Sequence, residues 1–210
     1  MSDKHQIVEE KAKKAFEQGD FDQAATLFIQ NYGNEIYAFL LGRLPSESDA
    51  SEVLSEFAEN FWQGLPDFKW RSSLRSWAYT IARNAAIRYL KEPHRRRERP
   101  LSLFKQSLFI QTIAEVRSVT KKYRRTEAKN KIRQIREKLS DEDQTLLVLR
   151  VDRQLAWREL AMIMSGQGEN MGETEINRWS ALLRQRFKKI KERLKKLARD
   201  EGLLDQQKKD

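Results

Sequence analysis

The apolar residues of this chain recur at intervals of three and four, and the alternating apolar and polar runs of half-buried strands are absent. Only 8 Gly and 4 Pro interrupt a sequence dominated by strong helix formers. This spacing predicts an all-α protein. Charged residues make up 34% of the 210 residues and hydrophobic ones 39%, which is too polar for one large core. We therefore expect two small helical domains joined by a solvated linker.

Composition excludes several classes of protein. With no Cys and only 2 His, the chain lacks a disulfide framework, a catalytic thiol and the ligands of a common metal site. No stretch reaches the ~20 apolar residues of a membrane span, and no signal peptide is recognisable at the N-terminus. We expect a soluble cytoplasmic protein without cofactor or metal. The net charge of +10 indicates a polyanionic partner.

Three helices are predicted in a first unit, at residues 22–92, preceded by an N-terminal extension at 1–21. The first helix carries Phe28, Tyr32 and Ile36 on one stripe and ends before Pro45. The second, at 49–62, and the third, which follows the loop 65–73, complete an apolar unit rich in aromatic residues. Most of these aromatic side chains must form its core.

The second predicted helix has an acidic side. At spacings of three and four it carries Asp49, Glu52, Glu56 and Glu59, and no Lys or Arg occurs between Pro45 and Trp62. Two interpretations are open: a solvated helix face, or a docking surface for a basic partner.

The remainder is divided into a linker at 93–127, a second unit at 128–199 and a tail at 200–210. The linker contains the run Arg95-Arg96-Arg97, which is either solvated or follows a phosphate backbone, and an apolar middle that predicts a short helix. In the second unit Ala128, Ile132, Ile135 and Leu139 form a helical stripe. Ser140 and Asp143 then resemble a capping box that opens the next helix.

A short helix at 155–164, a glycine-bearing break and a long basic helix follow in the order of a helix-turn-helix, whose second helix lies in the major groove. Outward positions of the basic helix include Arg184, Gln185 and Lys188; Arg pairs with guanine and Gln with adenine. Lys189, like Arg186 and Lys191, lies to the side and suits a phosphate contact. The alternative is a basic amphipathic helix that closes a three-helix bundle.

No catalytic constellation is found. GxSxG, HExxH and a Walker lysine are absent, and the glycine cluster at 166–172 follows a helix rather than a strand, which predicts a plain turn. The acidic quartet lacks the converging oxygen ligands of a cation cage. We therefore interpret the chain as a non-enzyme.

Taken together, the ordered segments resemble a sigma-70 family initiation factor of the extracytoplasmic-function (ECF) type. In the first unit the resemblance rests on DASEVLSEFAENFWQGLPDF, on Ser-Leu-Arg-Ser-Trp at 73–77 and on YTIARNAAIRYLK. In the second it rests on LSDEDQTLLVLR, LAWRELAMIM and LLRQRFKKIKERL. It covers residues 22–92 and 128–197 and leaves out the linker.

The resemblance implies two partners, core RNA polymerase and promoter DNA. The acidic helix matches the segment that docks on the clamp coiled coil of the polymerase's largest subunit. The loop and third helix match the part that melts the minus-ten element and reads it as a single strand, and the helix-turn-helix matches the part that reads the minus-thirty-five element as duplex. The family commonly has an anti-sigma factor as a further partner.

The same resemblance assigns roles to residues of the loop and third helix. It implies base recognition by Asn84 and the loop 69–73, phosphate contacts by Arg75 and Arg83, and a structural role for Trp77. The full set of groups available to hold DNA there is Lys69, Trp70, Arg71, Arg75, Arg83, Asn84 and Arg88.

The chain also departs from the family pattern. The family often has an acidic residue in place of Arg88, its linkers are often acidic, and its helix-turn-helix break is shorter than 165–179. This break is either an inserted loop, or 174–179 extends the second helix and changes its angle of entry. The competing functions are a stand-alone dimeric helix-turn-helix regulator and, from charge alone, an RNA-binding accessory protein.

Overall fold

The computed structural model describes residues 3–91, 112–116 and 135–201, and in these ranges the regular structure is helical, as predicted. Helices α1 (Asp3–Glu17), α2 (Phe21–Leu41), α3 (Glu47–Gly64) and α4 (Leu74–Lys91) precede the first gap. Helices α5 (Asp141–Leu147), α6 (Trp157–Ser165) and α7 (Glu173–Asp200) follow the second. Short 3-10 turns lie at Leu65–Asp67 and Gly168–Asn170, and α5 continues into a π-helical turn at Val148–Asp152.

The chain divides into two compact units. The first comprises Met1–Arg124 together with the short segment Gly166–Asn170; the second comprises Arg125–Ser165 and Met171–Asp210. Two helical units, as seen in the described residues, agree with the predicted architecture.

In the first unit, α2, α3 and α4 pack around fully buried aromatic side chains. Phe28 of α2 and Phe61 of α3 stack with ring centroids 4.6 Å apart, Phe57 lies 5.7 Å from Phe61, and Tyr79 of α4 is completely buried against Phe39. Large aromatic rings supply most of the apolar area that a small unit can bury. Val53, Phe57 and Phe61, spaced by four, therefore lie on the core-facing side of α3.

Helix α1 lies within residues 1–21, the N-terminal extension for which no helix is predicted. Its buried residues Val8, Ala12 and Ala15 recur at four and three, and the helix packs on α2. Glu9 of α1 also accepts hydrogen bonds from the first two N–H groups of α4, those of Leu74 at 3.0 Å and Arg75 at 3.1 Å. Because the first N–H groups of a helix have no partner within it, Glu9 caps α4 from a distance in sequence.

A piece of the predicted linker belongs to the first unit. Residues 112–116 are helical, and Thr112, Ile113 and Val116 are buried. Val116 lies so close to α2 that a Cβ added at Gly33 would come within 2.7 Å of its Cγ2 atom. The predicted short helix is thus present here, while Arg95, Arg96 and Arg97 lie outside the described residues.

The second unit is built from α5, α6 and α7 around a smaller aliphatic core that includes Leu146, Leu160, Ile163 and Leu183. The Ser140 hydroxyl accepts the Asp143 N–H at 3.3 Å, so Ser140 caps α5 as the sequence predicts. Ala128 and Ile132 of the predicted preceding stripe lie outside the described residues.

Helix α7 begins at Glu173, six residues before the predicted start of its apolar stripe. Of the two predicted arrangements of the long break, the structure has the one in which 174–179 extends the basic helix. Acidic residues in the first turn, Glu173 and Glu175, favour a helix start there because they complement its dipole.

Candidate functional site

The first candidate surface is the side of α3 that turns away from the core. Ser46 and Asp49 close a full capping box, with Asp49 N to Ser46 Oγ at 3.1 Å and Ser46 N to Asp49 Oδ2 at 3.0 Å. Because this fixes where α3 starts, the acidic residues fall on one side of the helix and are all partly exposed: Asp49, Glu52, Glu56 and Glu59.

Three of these four carboxylates already have neighbours. Asp49 accepts a hydrogen bond from the Tyr89 hydroxyl at 2.5 Å, and Glu59 accepts one from Gln63 at 3.2 Å. Arg88 lies 3.1 Å from Glu56, and their side chains are 54% and 33% exposed. An exposed pair of this kind contributes little to stability, so both charges stay accessible to a partner. Arg88, predicted to hold DNA, therefore borders the acidic face.

The second candidate surface is the loop 69–73 with the helix α4 that follows it. Lys69 and Arg71 point into solvent, whereas Trp70 between them is half-buried. The indole lies against Phe16 and Phe68, with centroid distances of 5.6 and 5.0 Å. Trp70 has a φ of 55°, a left-handed conformation that bulky residues rarely adopt. This loop is therefore held in a strained backbone shape.

The segment Gly166–Asn170 packs on the same loop. A carboxylate oxygen of Glu169 accepts the N–H of Lys69 at 2.9 Å, and the other accepts that of Arg71 at 3.3 Å. The Asn84 side chain donates to the Gly166 carbonyl at 3.0 Å. The predicted turn is present, as the 3-10 turn Gly168–Asn170, but it is more than a connection, because Glu169 within it is buried and bonded. No local signal marks this contact, because its partners lie about a hundred positions away in the sequence.

Two of the predicted DNA-binding arginines point inward. Arg75 is ion-paired with Glu35, and their side chains are only 13% and 15% exposed; the buried Tyr79 hydroxyl donates to the same Glu35 oxygen at 2.7 Å. Arg83 is 7% exposed. Their predicted phosphate contacts remain predictions, and in the structure both residues belong to the interior of the unit.

Trp77 has the surroundings expected of a structural residue. Its ring lies between Phe61 and Phe68, at centroid distances of 5.0 and 4.8 Å. A Cβ added at Gly64 would come within 3.2 Å of the indole, so α3 approaches α4 closely at this point.

The third candidate surface is the helix pair α6 and α7. Arg158 of α6 donates two hydrogen bonds to the Glu173 carboxylate at the start of α7, one of them at 2.5 Å. These bonds raise the pKa of Arg158 and lower the pKa of Glu173. Ser180 donates to the Trp157 carbonyl at 3.2 Å, and Trp157 meets Phe187 edge-to-face. Together these contacts fix the angle between the two helices.

The predicted DNA-reading residues of α7 are all exposed: Arg184, Gln185, Lys188 and Lys189. Arg186 is instead paired with Asp143 of α5, with Nε 2.5 Å from the carboxylate. Because α7 starts at Glu173, further exposed residues precede them, namely Thr174, Asn177, Arg178 and Ala181. Thr174, Asn177 and Arg178 are not among the predicted DNA-binding residues, because the apolar stripe is counted from Trp179 onward.

Two further features bear on the class of site. Within residues 3–91, 112–116 and 135–201, no cluster of three acidic, His or Cys side chains is arranged to hold a metal ion. The same residues contain no helix long and apolar enough to cross a membrane.

Comparison with known proteins identifies the first unit. A family model described as Sigma-70 region 2 matches residues 28–97, which run from α2 through α4. The chain is 27% identical over 171 residues to RNA polymerase sigma factor YlaC of Bacillus subtilis, covering 81% of this chain and 95% of that protein. It is 31% identical over 91 residues to the ECF RNA polymerase sigma-E factor of Haemophilus influenzae, covering 43% and 47%.

The match with the Bacillus protein extends over most of both chains, and the family match falls on the helices that carry the acidic face and the strained loop. These matches support the predicted assignment of the chain to the sigma-70 family of transcription initiation factors, in its ECF group.

Proposed function

We propose that this sigma factor binds core RNA polymerase and directs it to specific promoters, with each unit reading one promoter element. The observation that carries the proposal is the acidic side of α3 in a chain of net charge +10. A protein that only bound DNA would gain nothing from an outward row of carboxylates, since these repel phosphates. A basic protein partner explains it.

The polymerase-docking surface is assigned to Asp49, Glu52, Glu56 and Glu59. Among the described residues Glu52 has no ion-pair partner, and Glu56 is only loosely held by the exposed Arg88. A partner that supplies cations here would steer association and fix register. The family resemblance points to the clamp coiled coil of the largest polymerase subunit.

The first unit is assigned to the minus-ten element in its opened form. Removing a base from the stack costs a few kcal/mol, which aromatic and cationic groups must offset. The loop 69–73 offers Lys69 and Arg71 to solvent beside Trp70, and Asn84 is partly exposed on α4. These groups are the proposed reading surface, with Arg88 as a further cation.

The second unit is assigned to the minus-thirty-five element as duplex. In a helix-turn-helix the N-terminal part of the second helix meets the base edges. We therefore extend the candidate reading residues from Arg184 and Gln185 back to Asn177 and Arg178, with Lys188 and Lys189 beside phosphates. All of these side chains are exposed.

Run-off transcription tests the proposal directly. Core polymerase is supplied with a genomic library, with and without the chain, and new start sites are mapped. We expect start sites that appear only with the chain. If instead the chain protects an operator from nuclease without polymerase and directs no start site, it is a stand-alone regulator.

A charge reversal tests the docking surface. The double variant E52K/E56K should lose co-purification with core polymerase while its circular dichroism spectrum stays unchanged. The matched control is E10K/E17K, which makes the same charge change on the exposed side of α1. Equal loss in both variants would mean that net charge, rather than the α3 surface, governs association.

A further inference from the structure

The Glu169 carboxylate occupies a small concavity in the backbone of the loop 69–73. Its two oxygens accept the N–H groups of Lys69 and Arg71, at 2.9 and 3.3 Å. These groups converge because Trp70 between them is left-handed, with φ 55°. Backbone N–H groups that converge in this way form a binding place for an anion, as in many phosphate sites. In this structure the anion is Glu169, which is only 8% exposed.

The surroundings of the concavity suit a ligand from outside the chain. The side chains of Lys69 and Arg71 are exposed, and they belong to the two residues whose N–H groups line the concavity, so they are close enough to attract a negatively charged group bound there. The Trp70 indole Nε1 is buried and has no hydrogen-bond partner among the described residues. Trp70 is thus a strained residue whose Nε1 donor is unused, and it lies between the cations Lys69 and Arg71. This combination is typical of a ligand-binding loop rather than of a purely structural turn.

The segment that carries Glu169 also binds the Asn84 side chain. Asn84 donates to the Gly166 carbonyl at 3.0 Å, and a Cβ added at Gly166 would lie 3.1 Å from the Asn84 oxygen. Gly166 and Gly168 both have positive φ, at 77° and 58°, which glycine adopts without strain. The glycines thus allow the segment to lie against α4 and the loop at once.

We propose that the Lys69 and Arg71 N–H groups form a binding site for a phosphodiester of single-stranded DNA, and that Glu169 fills this site when DNA is absent. The carboxylate stands in for two phosphate oxygens and carries the same single negative charge. The inference rests on the proposed function, because it treats the loop 69–73 as part of the DNA-reading surface. It adds an internal competitor to that surface.

The competition has a measurable consequence. If the site is open for only a fraction of the time, the apparent affinity for DNA falls by that fraction. Removal of the Glu169 carboxylate should therefore strengthen binding of single strands, by about tenfold if the site is open a tenth of the time.

The test measures binding of a fluorescein-labelled oligothymidylate to the full chain by anisotropy. E169A should bind it more tightly than the unaltered protein does. D67A is the matched control: Asp67 is exposed, precedes Lys69 by two residues, and its loss changes the net charge equally. E169Q keeps the side-chain length, should change the affinity in the same direction, and serves if E169A proves unstable. An E169A affinity no higher than that of D67A overturns the proposal.

Amide resonances identify the ligand atoms. In E169A, the N–H signals of Lys69 and Arg71 should shift on titration with oligothymidylate, and at lower concentration than in the unaltered protein. An uncharged methylphosphonate oligothymidylate should leave them in place. Shifts that persist with the uncharged strand would mean that phosphate is not the ligand.

Transcription with core polymerase separates this inference from the proposed function. If the chain directs start sites but E169A gains no affinity over D67A, the anion site is wrong and the proposed function stands. If E169A gains affinity but no start site is directed, the site is supported as a nucleic-acid site and the proposed function fails.

Discussion

Arg75 and Glu35 form an ion pair inside the first unit, with Nε and Nη2 of Arg75 at 2.8 and 2.5 Å from the same carboxylate oxygen. Glu35 lies on α2 and Arg75 at the start of α4, so the pair ties the two helices together. The Tyr79 hydroxyl donates to the same oxygen. In the free protein the Arg75 guanidinium, at the edge of a proposed DNA surface, therefore points into the interior of the unit.

Replacement of Glu35 by Ala should destabilise the first unit markedly. Loss of one partner from a buried pair costs about 3–5 kcal/mol, and since this pair keeps some exposure we expect roughly 2–3 kcal/mol. Urea unfolding followed by circular dichroism measures the free energy of unfolding. E56A, which breaks the exposed pair with Arg88, should cost less than about 1 kcal/mol. If E35A and E56A lowered the free energy of unfolding by similar amounts, the buried Arg75 pair would contribute no more to stability than the exposed Arg88 pair.

Stability at high pH should depend on Tyr32. Burial raises the pKa of its hydroxyl well above the ordinary value, with Glu9 and then Glu35 adding to the rise and Arg75 opposing it. In the unfolded chain the hydroxyl ionises near pH 10, whereas in the folded protein it keeps its proton. The contribution is therefore intact below pH 10 and falls above it by about 1.4 kcal/mol per pH unit.

A comparison of the unaltered protein with Y32F isolates the contribution of Tyr32 to the loss of stability at high pH, because all other groups titrate in both proteins. Urea unfolding at several pH values above 9 should give a steeper decline for the unaltered protein. Parallel declines would contradict the prediction.

The packing of residues 112–116 on α2 can be tested at Gly33. A Cβ there would lie 2.7 Å from Val116 Cγ2, so G33A should destabilise the protein by about 1–3 kcal/mol through overpacking. In the V116A background the shortest contact is gone and Ile29 Cγ2, at 3.1 Å, is the close neighbour that remains, so G33A should cost clearly less there, helped by the preference of a helix for Ala over Gly of up to about 1 kcal/mol. Thermal unfolding of the four proteins of this cycle measures the difference. An equal cost of G33A in both backgrounds would refute the contact.

The extended start of α7 predicts where duplex DNA is read. N177A/R178A should weaken binding to a cognate duplex by about 1–3 kcal/mol for each good base contact, and unrelated duplexes much less. K195A/K196A, about 27 Å further along the helix, should weaken both duplexes alike. Gel-shift titration on both duplexes makes the comparison, and an equal effect of the two variants on both would place Asn177 and Arg178 on phosphates.

The helices that carry strong three-and-four spacing were predictable from sequence. Helices α2, α3, α4, α6 and the later part of α7 follow directly from their apolar stripes, and so does the acidic side of α3. Helix α1 was missed even though Val8, Ala12 and Ala15 have the right spacing, because two of these residues are alanines and the stripe is weakly apolar.

The surroundings of the candidate site were not predictable in the same way. Whether Arg75 faces DNA or the interior depends on Glu35, forty positions earlier in the chain, and the state of the loop 69–73 depends on Glu169. Neither partner is identifiable from local spacing, since helix periodicity states which side of a helix is buried but not which polar group meets it there.

The hydrogen bonds from the start of α4 to Glu9 limit how far the first unit can be shortened at its N-terminus before its fold changes. A fragment cut to the family-matched residues 28–97 would retain α4 but lose the carboxylate that accepts its first two N–H groups. Its leading turn would unwind first, and that turn adjoins the loop at 69–73. Binding studies on an isolated amino-terminal piece should therefore keep α1, or they would measure a frayed surface.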